Sequence, residues 1–322
     1  MFFDMLIKFI YASVISGTPL LLGTTGEILN EKVGHLNLGV EGMMSIGACT
    51  GFMIGYYTDS FILALIGAAA GGMLAALIYA VLTIHFMTNQ NVTGLTLTIF
   101  GIGLSNMIGV YNLSRSVTGT LKLPEHITGV LANIDIPFLS DIPVVGNLVF
   151  SYNPFVYIAI IIAIIAHIYL YKTNQGLKVR SVGENPATAD AVGINVNRVK
   201  MINILIGGAI CGLGGAYCSM IINGGVWIND NVAGLGWIAG ALVIFANWKP
   251  AMAALGSFLF GALRILKYYI PKSVIDIPIA FYDMLPFLMT AVVLVIISAR
   301  KSSQKKSQLP AYLGLNYFRE DR

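Results

Sequence analysis

The chain has 322 residues, of which 57% are hydrophobic and 11% charged, with a formal charge of +4 and a mean hydropathy of +0.79. A soluble domain of this length carries about 25% charged residues to keep its surface in water, so the composition excludes an ordinary soluble enzyme and places the chain among membrane proteins. The small positive charge gathers into no dense basic stripe, which argues against nucleic acid as a partner.

A membrane-crossing helix needs about 20 apolar residues. The first such window runs from 7 to 24; it lacks a basic start and a small-residue cleavage site, so a span is expected there rather than a removed leader. Next comes Glu27-Ile-Leu-Asn-Glu-Lys-Val-Gly-His-Leu-Asn-Leu-Gly-Val-Glu-Gly42, with three carboxylates, a lysine, a histidine and two asparagines among glycines and aliphatics. Polar groups at membrane depth are costly and are tolerated where they face a protein interior or a water-filled path, so this region is a functional candidate. Glu27 to Lys32 reads equally well as a plain loop. Glu41 leads straight into Met43, Met44 and Ile46, which favours a buried role. Pairing with Lys32, capping of a half-helix and contact with a substrate all stay open for it.

Further windows fall near 38 to 57, 61 to 84 and 92 to 111. Within the third of the chain's windows, the run Gly67, Ala68, Ala69, Ala70, Gly71 and Gly72 reads as a tight helix-helix face. The segment 112–150, with Pro124, Pro137 and Pro143, separates these from windows near 154 to 171, 201 to 222, 232 to 247, 251 to 270 and 282 to 299. Short cytoplasmic loops carry an excess of Lys and Arg. The loop 172–200 holds Lys172, Lys178, Arg180, Arg198 and Lys200, and the tail 300–322 holds Arg300, Lys301, Lys305, Lys306, Arg319 and Arg322. Both are expected to be cytoplasmic, with 112–150 and the N-terminus on the outer side. Arg264, Lys267 and Lys272 then lie at the outer end of a helix, against the charge rule. Cys49, Cys211 and Cys218 lie inside apolar stretches, where they behave as small hydrophobes and not as a disulfide frame.

A faint internal echo links Asn37-Leu-Gly-Val-Glu-Gly-Met-Met-Ser-Ile-Gly47 with Asn231-Val-Ala-Gly-Leu-Gly-Trp-Ile-Ala-Gly240. Interrupted apolar segments in matching positions of two halves point to a transport path, although small residues also serve simply to pack helices closely. No metal-ligand spacing, no paired nucleophile and base, and no phosphate-binding GxxxxGK[ST] occurs in the sequence.

The loop 172–200 contains the signature of a short helix. Asn185 can cap it, Pro186 suits the first helical position, Ala187 to Val192 propagate, and Gly193 can take the left-handed conformation that ends it. A helix of two turns is not stable alone. Its Ala187, Ala191 and Val192 suit a groove on another subunit, with Glu184, Asp190 and Arg180 at the rim; a solvated loop is the other reading.

The stretch "GLKVRSVGENPATADAVGIN" resembles the coupling segment of ABC importer permeases of the branched-chain amino acid and simple-sugar superfamily. "GEILNEKVGHLNLGVEGMM", "IPFLSDIPVVGNLVF" and "GLGWIAGALVIFANWKP" are similar to permeases of its nucleoside-type branch. The likeness runs from about residue 17 to 299 in consistent order. It implies an all-α polytopic protein forming a single transmembrane domain over 1–322, with nine to ten transmembrane helices, an internal repeat and a cytoplasmic coupling helix, seated in a bacterial plasma (inner) membrane. It also implies that Glu184, Asn185, Pro186, Ala187, Asp190, Ala191, Val192 and Gly193 couple the chain to a separate ATP-binding subunit. That subunit would hold ATP and magnesium, leaving this chain without a cofactor. The further partners implied are a second, different permease chain, an extracellular substrate-binding lipoprotein and membrane lipid.

Asn37, Glu41, Asn223 and Trp237, polar or aromatic groups near glycine-rich breaks, are candidates to line the path. The implied substrate is a nucleoside. A monosaccharide such as ribose or galactose is the alternative, and an ion-driven carrier resting on Glu41 a more distant one.

Overall fold

The computed structural model describes residues 2–116, 118–133, 148, 150–270, 278–299 and 308–320. Pro137, Pro143, Lys272, most of "IPFLSDIPVVGNLVF" and the first part of the tail lie outside the described residues. Among the described residues every regular element is helical, and one isolated bridge pairs Lys122 with Val226. In chain order these are α1 (Phe2–Lys32), α2 (Val40–Thr58), α3 (Phe61–Ala80, continued by a π turn Val81–His85), α4 (Gln90–Arg115) and α5 (Glu125–Val130). They are followed by α6 (Pro154–Lys172), α7 (Asn174–Glu184), α8 (Pro186–Ala191) and α9 (Val196–Tyr217, continued by a π turn Cys218–Ile222). The chain closes with α10 (Leu235–Phe245), α11 (Pro250–Ile265, then a 3₁₀ turn Leu266–Tyr268) and α12 (Ile279–Ala299).

The starts of these helices are written locally. Asn89, Asn153, Asn185 and Asn195 each cap a helix by accepting a backbone N–H at 3.0 to 3.1 Å, and Pro154, Pro186 and Pro250 occupy first helical positions whose missing N–H needs no partner.

Among the described residues six helices are long and apolar enough to cross a membrane: Asp4–Lys32, Phe61–His85, Gln90–Arg115, Pro154–Lys172, Val196–Ile222 and Pro250–Tyr268. The windows 38–57, 232–247 and 282–299 also coincide with helices, but not with spans of that kind. α2 is buried along nearly all its length, so neighbouring helices rather than lipid surround its Glu41 and glycines. α10 is about 16 Å long at 1.5 Å per residue, roughly half of a hydrocarbon core of about 30 Å. In α12 the apolar stretch is the shorter Ala280–Val293.

Close backbone contact holds the centre together. Gly47 of α2, Gly72 of α3 and Gly212 of α9 converge so tightly that a Cβ on any of them would overlap its neighbours' backbone. Gly42 meets Leu97 and Gly101 of α4 in the same way, and Gly17 of α1 meets Ser257 of α11. Between apolar helices in lipid, this approach gains dispersion and leaves no void. Around this core, Ile62, Ile66 and Leu74 of α3, Ile99 of α4 and Ile164 and Ile165 of α6 stay exposed, forming an apolar belt.

Hydrogen bonds sort the loops onto two ends of the bundle. At one end, which we call the loop end, Leu36 N donates to Gln90, Asn316 Nδ2 to the Met87 carbonyl, Gly314 N to Gly34 O and Tyr312 N to Gly183 O. At the opposite end the Tyr269 hydroxyl donates to the Lys8 carbonyl, Tyr57 bonds Asn112, and residues 121–123 pair with 225–227. The start of α1 and the segment 172–195 therefore occupy opposite ends.

Candidate functional site

The two segments that echo each other in sequence meet in space. After α1 the chain turns at Gly34 (φ +86°) and climbs back beside α4: Tyr79 OH donates to the Leu36 carbonyl at 2.9 Å, and Thr98 Oγ1 to the Leu38 carbonyl at 2.9 Å. α2 therefore begins inside the bundle. In the second segment, after α9, residues 223–234 return without regular structure to the start of α10, through positive φ values at Asp230, Ala233 and Gly234. Glu41 lies where the two helix starts face one another. Its Oε1 accepts from Gly234 N at 2.8 Å and its Oε2 from Gly236 N at 2.6 Å. Of the three roles open to Glu41 from sequence, the structure shows the capping of a half-helix. The first N–H groups of a helix have no partner within it, and the end carries partial positive charge, so a buried carboxylate there is neutralised by hydrogen bonds and dipole together.

Asn37 fixes the other side of this junction. Its Oδ1 accepts from Gly39 N at 2.8 Å, while its own N and Nδ2 donate to Glu27 at 3.1 and 3.2 Å. Glu27 also accepts from Asn30 at 2.8 Å. Glu31 accepts the indole N–H of Trp248 at the end of α10. Thus the polar run Glu27 to Asn37 is no exposed loop: Glu27, Asn30, Glu31, Lys32, His35 and Asn37 are all buried. His35 is less well satisfied: among the described residues neither ring nitrogen has a hydrogen-bond partner, and Asn30 Oδ1 has none either; the His35 ring stands edge-on to the Tyr79 ring, with centroids 6.2 Å apart. Burial, aided by the charge of Lys200, holds its pKa well below the usual histidine range.

Of the other two path candidates, Asn223 is half-buried at the end of the second π turn and donates to Asn231. Trp237 is 39% exposed on the first turn of α10, next to the Glu41 cap. The structure thus brings Glu41 and Trp237 together and places Asn223 on the returning segment, while Asn37 is enclosed behind Glu41. Asn106 of α4, which sequence reading passed over, joins the same region by exchanging two hydrogen bonds with Asp230 at 2.8 and 3.0 Å.

At the loop end the short helix forms as the local signals require. Asn185 Oδ1 accepts from Thr188 N at 3.0 Å, Pro186 opens α8, and Gly193 adopts φ +86°. Pro186 and Ala189 face inward, whereas Glu184, Asn185, Ala191, Val192 and Gly193 are exposed. Val192 is 72% exposed, a large value for an aliphatic side chain beside a folded end. Asp190 is turned toward the C-terminal segment, where it accepts from the Tyr317 hydroxyl at 3.0 Å and pairs with Arg319 at 3.0 Å. The basic residues of the tail put it on the same side as this loop, but nothing in the sequence shows what residues 308–320 bind, because their partners outside the segment lie 61 or more positions away.

Comparison with known proteins matches residues 9–294 to the family described as branched-chain amino acid transport system / permease component. The nucleoside ABC transporter permease protein NupC of Lactococcus lactis is 33% identical over 319 residues, covering 95% of each chain. The guanosine ABC transporter permease protein NupQ of Bacillus subtilis is 33% identical over 315 residues, covering 94% of this chain and 96% of its own. A candidate glucose ABC transporter permease protein, TsgC13 of Haloferax volcanii, is 36% identical over 256 residues, or 80% of this chain and 75% of its own.

Proposed function

The chain belongs to the family of permease components of branched-chain amino acid transport systems, and from that premise we propose that it forms the translocation path for nucleosides in an ATP-driven importer. The observation that carries the substrate is the end-to-end likeness to two permeases named for nucleoside and guanosine, which covers at least 94% of every chain concerned. The relative named for glucose has the higher identity over a smaller share of both chains, so a monosaccharide is the second reading.

In this reading the exposed face of α8 seats on a separate ATP-binding subunit, which holds the ATP and magnesium, and an extracellular lipoprotein delivers substrate to the opposite end. A second, different permease chain completes the path, and the belt of exposed aliphatics faces lipid and that chain. Nine to ten crossings follow if α2, α10 and α12 complete the membrane domain as buried or partial spans. The junction of α2 and α10 is the part of the path that moves. Glu41 and Asn37 hold the two broken segments together, while Trp237 and Asn223, which keep exposed surface, offer an aromatic face and an amide to base and ribose. Alternation between outward and inward states is then a two-state shift biased by the partner's nucleotide. An ion-driven carrier fits less well, because both oxygens of Glu41 are engaged by α10 amides.

The test is uptake of labelled guanosine, uridine and ribose by cells carrying this chain with its partner subunits. Nucleoside uptake that disappears when the ATP-binding subunit is removed is the expected result. Ribose uptake alone moves the substrate to the sugar reading, and uptake that survives loss of the ATPase overturns the importer reading.

A further inference from the structure

α8 has six residues and cannot hold its own position. What it packs against therefore decides where it points. Its inward side forms a small apolar cluster of Val182, Ala189 and Val196, closed by Tyr317 from the C-terminal segment. That segment, residues 308–320, has neither helix nor strand, yet its backbone and side chains are bonded almost entirely to other elements. Tyr312 N donates to Gly183 O at 2.9 Å and Ala311 N to Glu184 at 3.3 Å, gripping the end of α7. Gln90 Nε2 at the start of α4 donates to Asn316 Oδ1 at 3.0 Å.

The other contacts of the segment fall on the roots of the two broken segments. Gly314 N donates to Gly34 O at 3.1 Å, at the turn from which the first broken segment climbs, and Lys32 Nζ donates to the Gln308 carbonyl at 2.7 Å. Gln308 N donates to Asn247 Oδ1 at 3.0 Å, directly after α10. One stretch of chain thus ties the last turn of α8 to both roots of the α2–α10 junction.

We propose that residues 308–320 are a strap that positions α8 and carries its displacement to the junction of the two broken segments, with Tyr317 and Arg319 as positioning residues acting through Asp190. This rests on the reading of α8 as the seat for an ATP-binding subunit. Covalent links from α8 run into α7 and α9; the end of α7 packs its Gly183 directly against Lys32 and Gly34, and the strap reinforces that contact and extends it to Asn247. Arg319 is 75% exposed, so its ion pair is screened by solvent and contributes little alone. The Tyr317 hydroxyl and ring give the contact its direction, and both residues must be changed together to release α8.

The experiment uses the complete importer reconstituted in vesicles, comparing wild type with the double variant Tyr317→Phe/Arg319→Ala and the conservative Arg319→Lys. The expected result is an ATPase rate and subunit assembly like wild type, with guanosine taken up per ATP reduced at least about fivefold in the double variant, a factor equivalent to about 1 kcal/mol of coupling, and near wild type in Arg319→Lys. Unchanged uptake per ATP, or uptake and ATPase falling in parallel, overturns the strap. A second readout does not depend on the substrate: spin labels at the exposed positions Thr188 and Leu315 should keep one separation with and without ATP in wild type, and a broadened one in the double variant. A wild-type separation that changes with nucleotide overturns the strap. Absence of both guanosine and uridine uptake in wild type sinks the nucleoside reading instead, and the label distances still judge the strap.

Discussion

Glu41 is the residue on which the two halves of the site depend, because its carboxylate receives the N–H groups of Gly234 and Gly236 in a buried place. Each of the two charge-assisted bonds contributes about 1.5–3 kcal/mol and the cost of burying the carboxylate offsets part of their sum, so Glu41→Ala is expected to lower stability by about 2–4 kcal/mol. Glu41→Gln, which keeps an accepting oxygen, should cost clearly less. Thermal unfolding in detergent measures both, and equal losses would show that the carboxylate itself is unimportant. His35 gives a pH prediction. Burial keeps it neutral in the fold, whereas the unfolded chain takes up a proton at the ordinary value of about 6.5. The unfolded state then binds more protons than the fold once pH drops to that value, so stability should begin to decline near about pH 6.5 and go on declining until His35 itself protonates in the fold. The decline should flatten in His35→Leu, and a slope unchanged in that variant would assign it to other groups. The capping of α8 by Asn185 and its end at Gly193 were legible in sequence, because cap, proline and glycine act on neighbours. The partner of Glu41 was not, because Gly234 stands 193 positions away.

Among the elements, α2, α3 and α9 meet at a close glycine contact. Gly212→Leu would drive its side chain into the backbone of Ala68 and Gly72, and overpacking of that kind costs about 1–3 kcal/mol or more. Loss of a monodisperse, heat-resistant species in detergent is the expected outcome. A comparable substitution at Gly103, where a Cβ meets nothing within 4 Å, should be tolerated. α8 is the opposite kind of element, exposed on its outer face. Val192→Asp should leave folding intact and abolish co-purification of the ATP-binding subunit; retention of that subunit would remove α8 as the seat. Sequence periodicity located every long helix, but it overestimated α10. The run 232–246 has no charged or strongly polar residue, and only the positive φ values at Asp230, Ala233 and Gly234 show that the helix starts at Leu235.

For the whole molecule, the hydrogen bonds place Lys8 and the tail at opposite ends. With the basic loops inside, a cysteine at Lys8 should react with a membrane-impermeant maleimide in intact cells, and one at Leu315 only after permeabilisation. The native Cys49, Cys211 and Cys218 are buried and should remain silent. Labelling of both positions from the same side would refute the orientation. The apolar belt on α3, α4 and α6 belongs to this scale too, since its exposure fits lipid, not water.

Composition, hydropathy and nearest-neighbour signals by themselves determined that this is a membrane protein, where its long helices lie, which loops carry positive charge, and that a capped two-turn helix follows α7. These are properties of short windows, and short windows are what helix formation and partition into lipid respond to. The tertiary structure alone decided that the two echoing segments meet at Glu41, that the polar run after Glu27 is buried, and that residues 308–320 bind the loop end together. Those outcomes depend on hydrogen bonds between groups far apart along the chain, whose partners are chosen by how the helices pack and leave no periodic trace in either sequence segment.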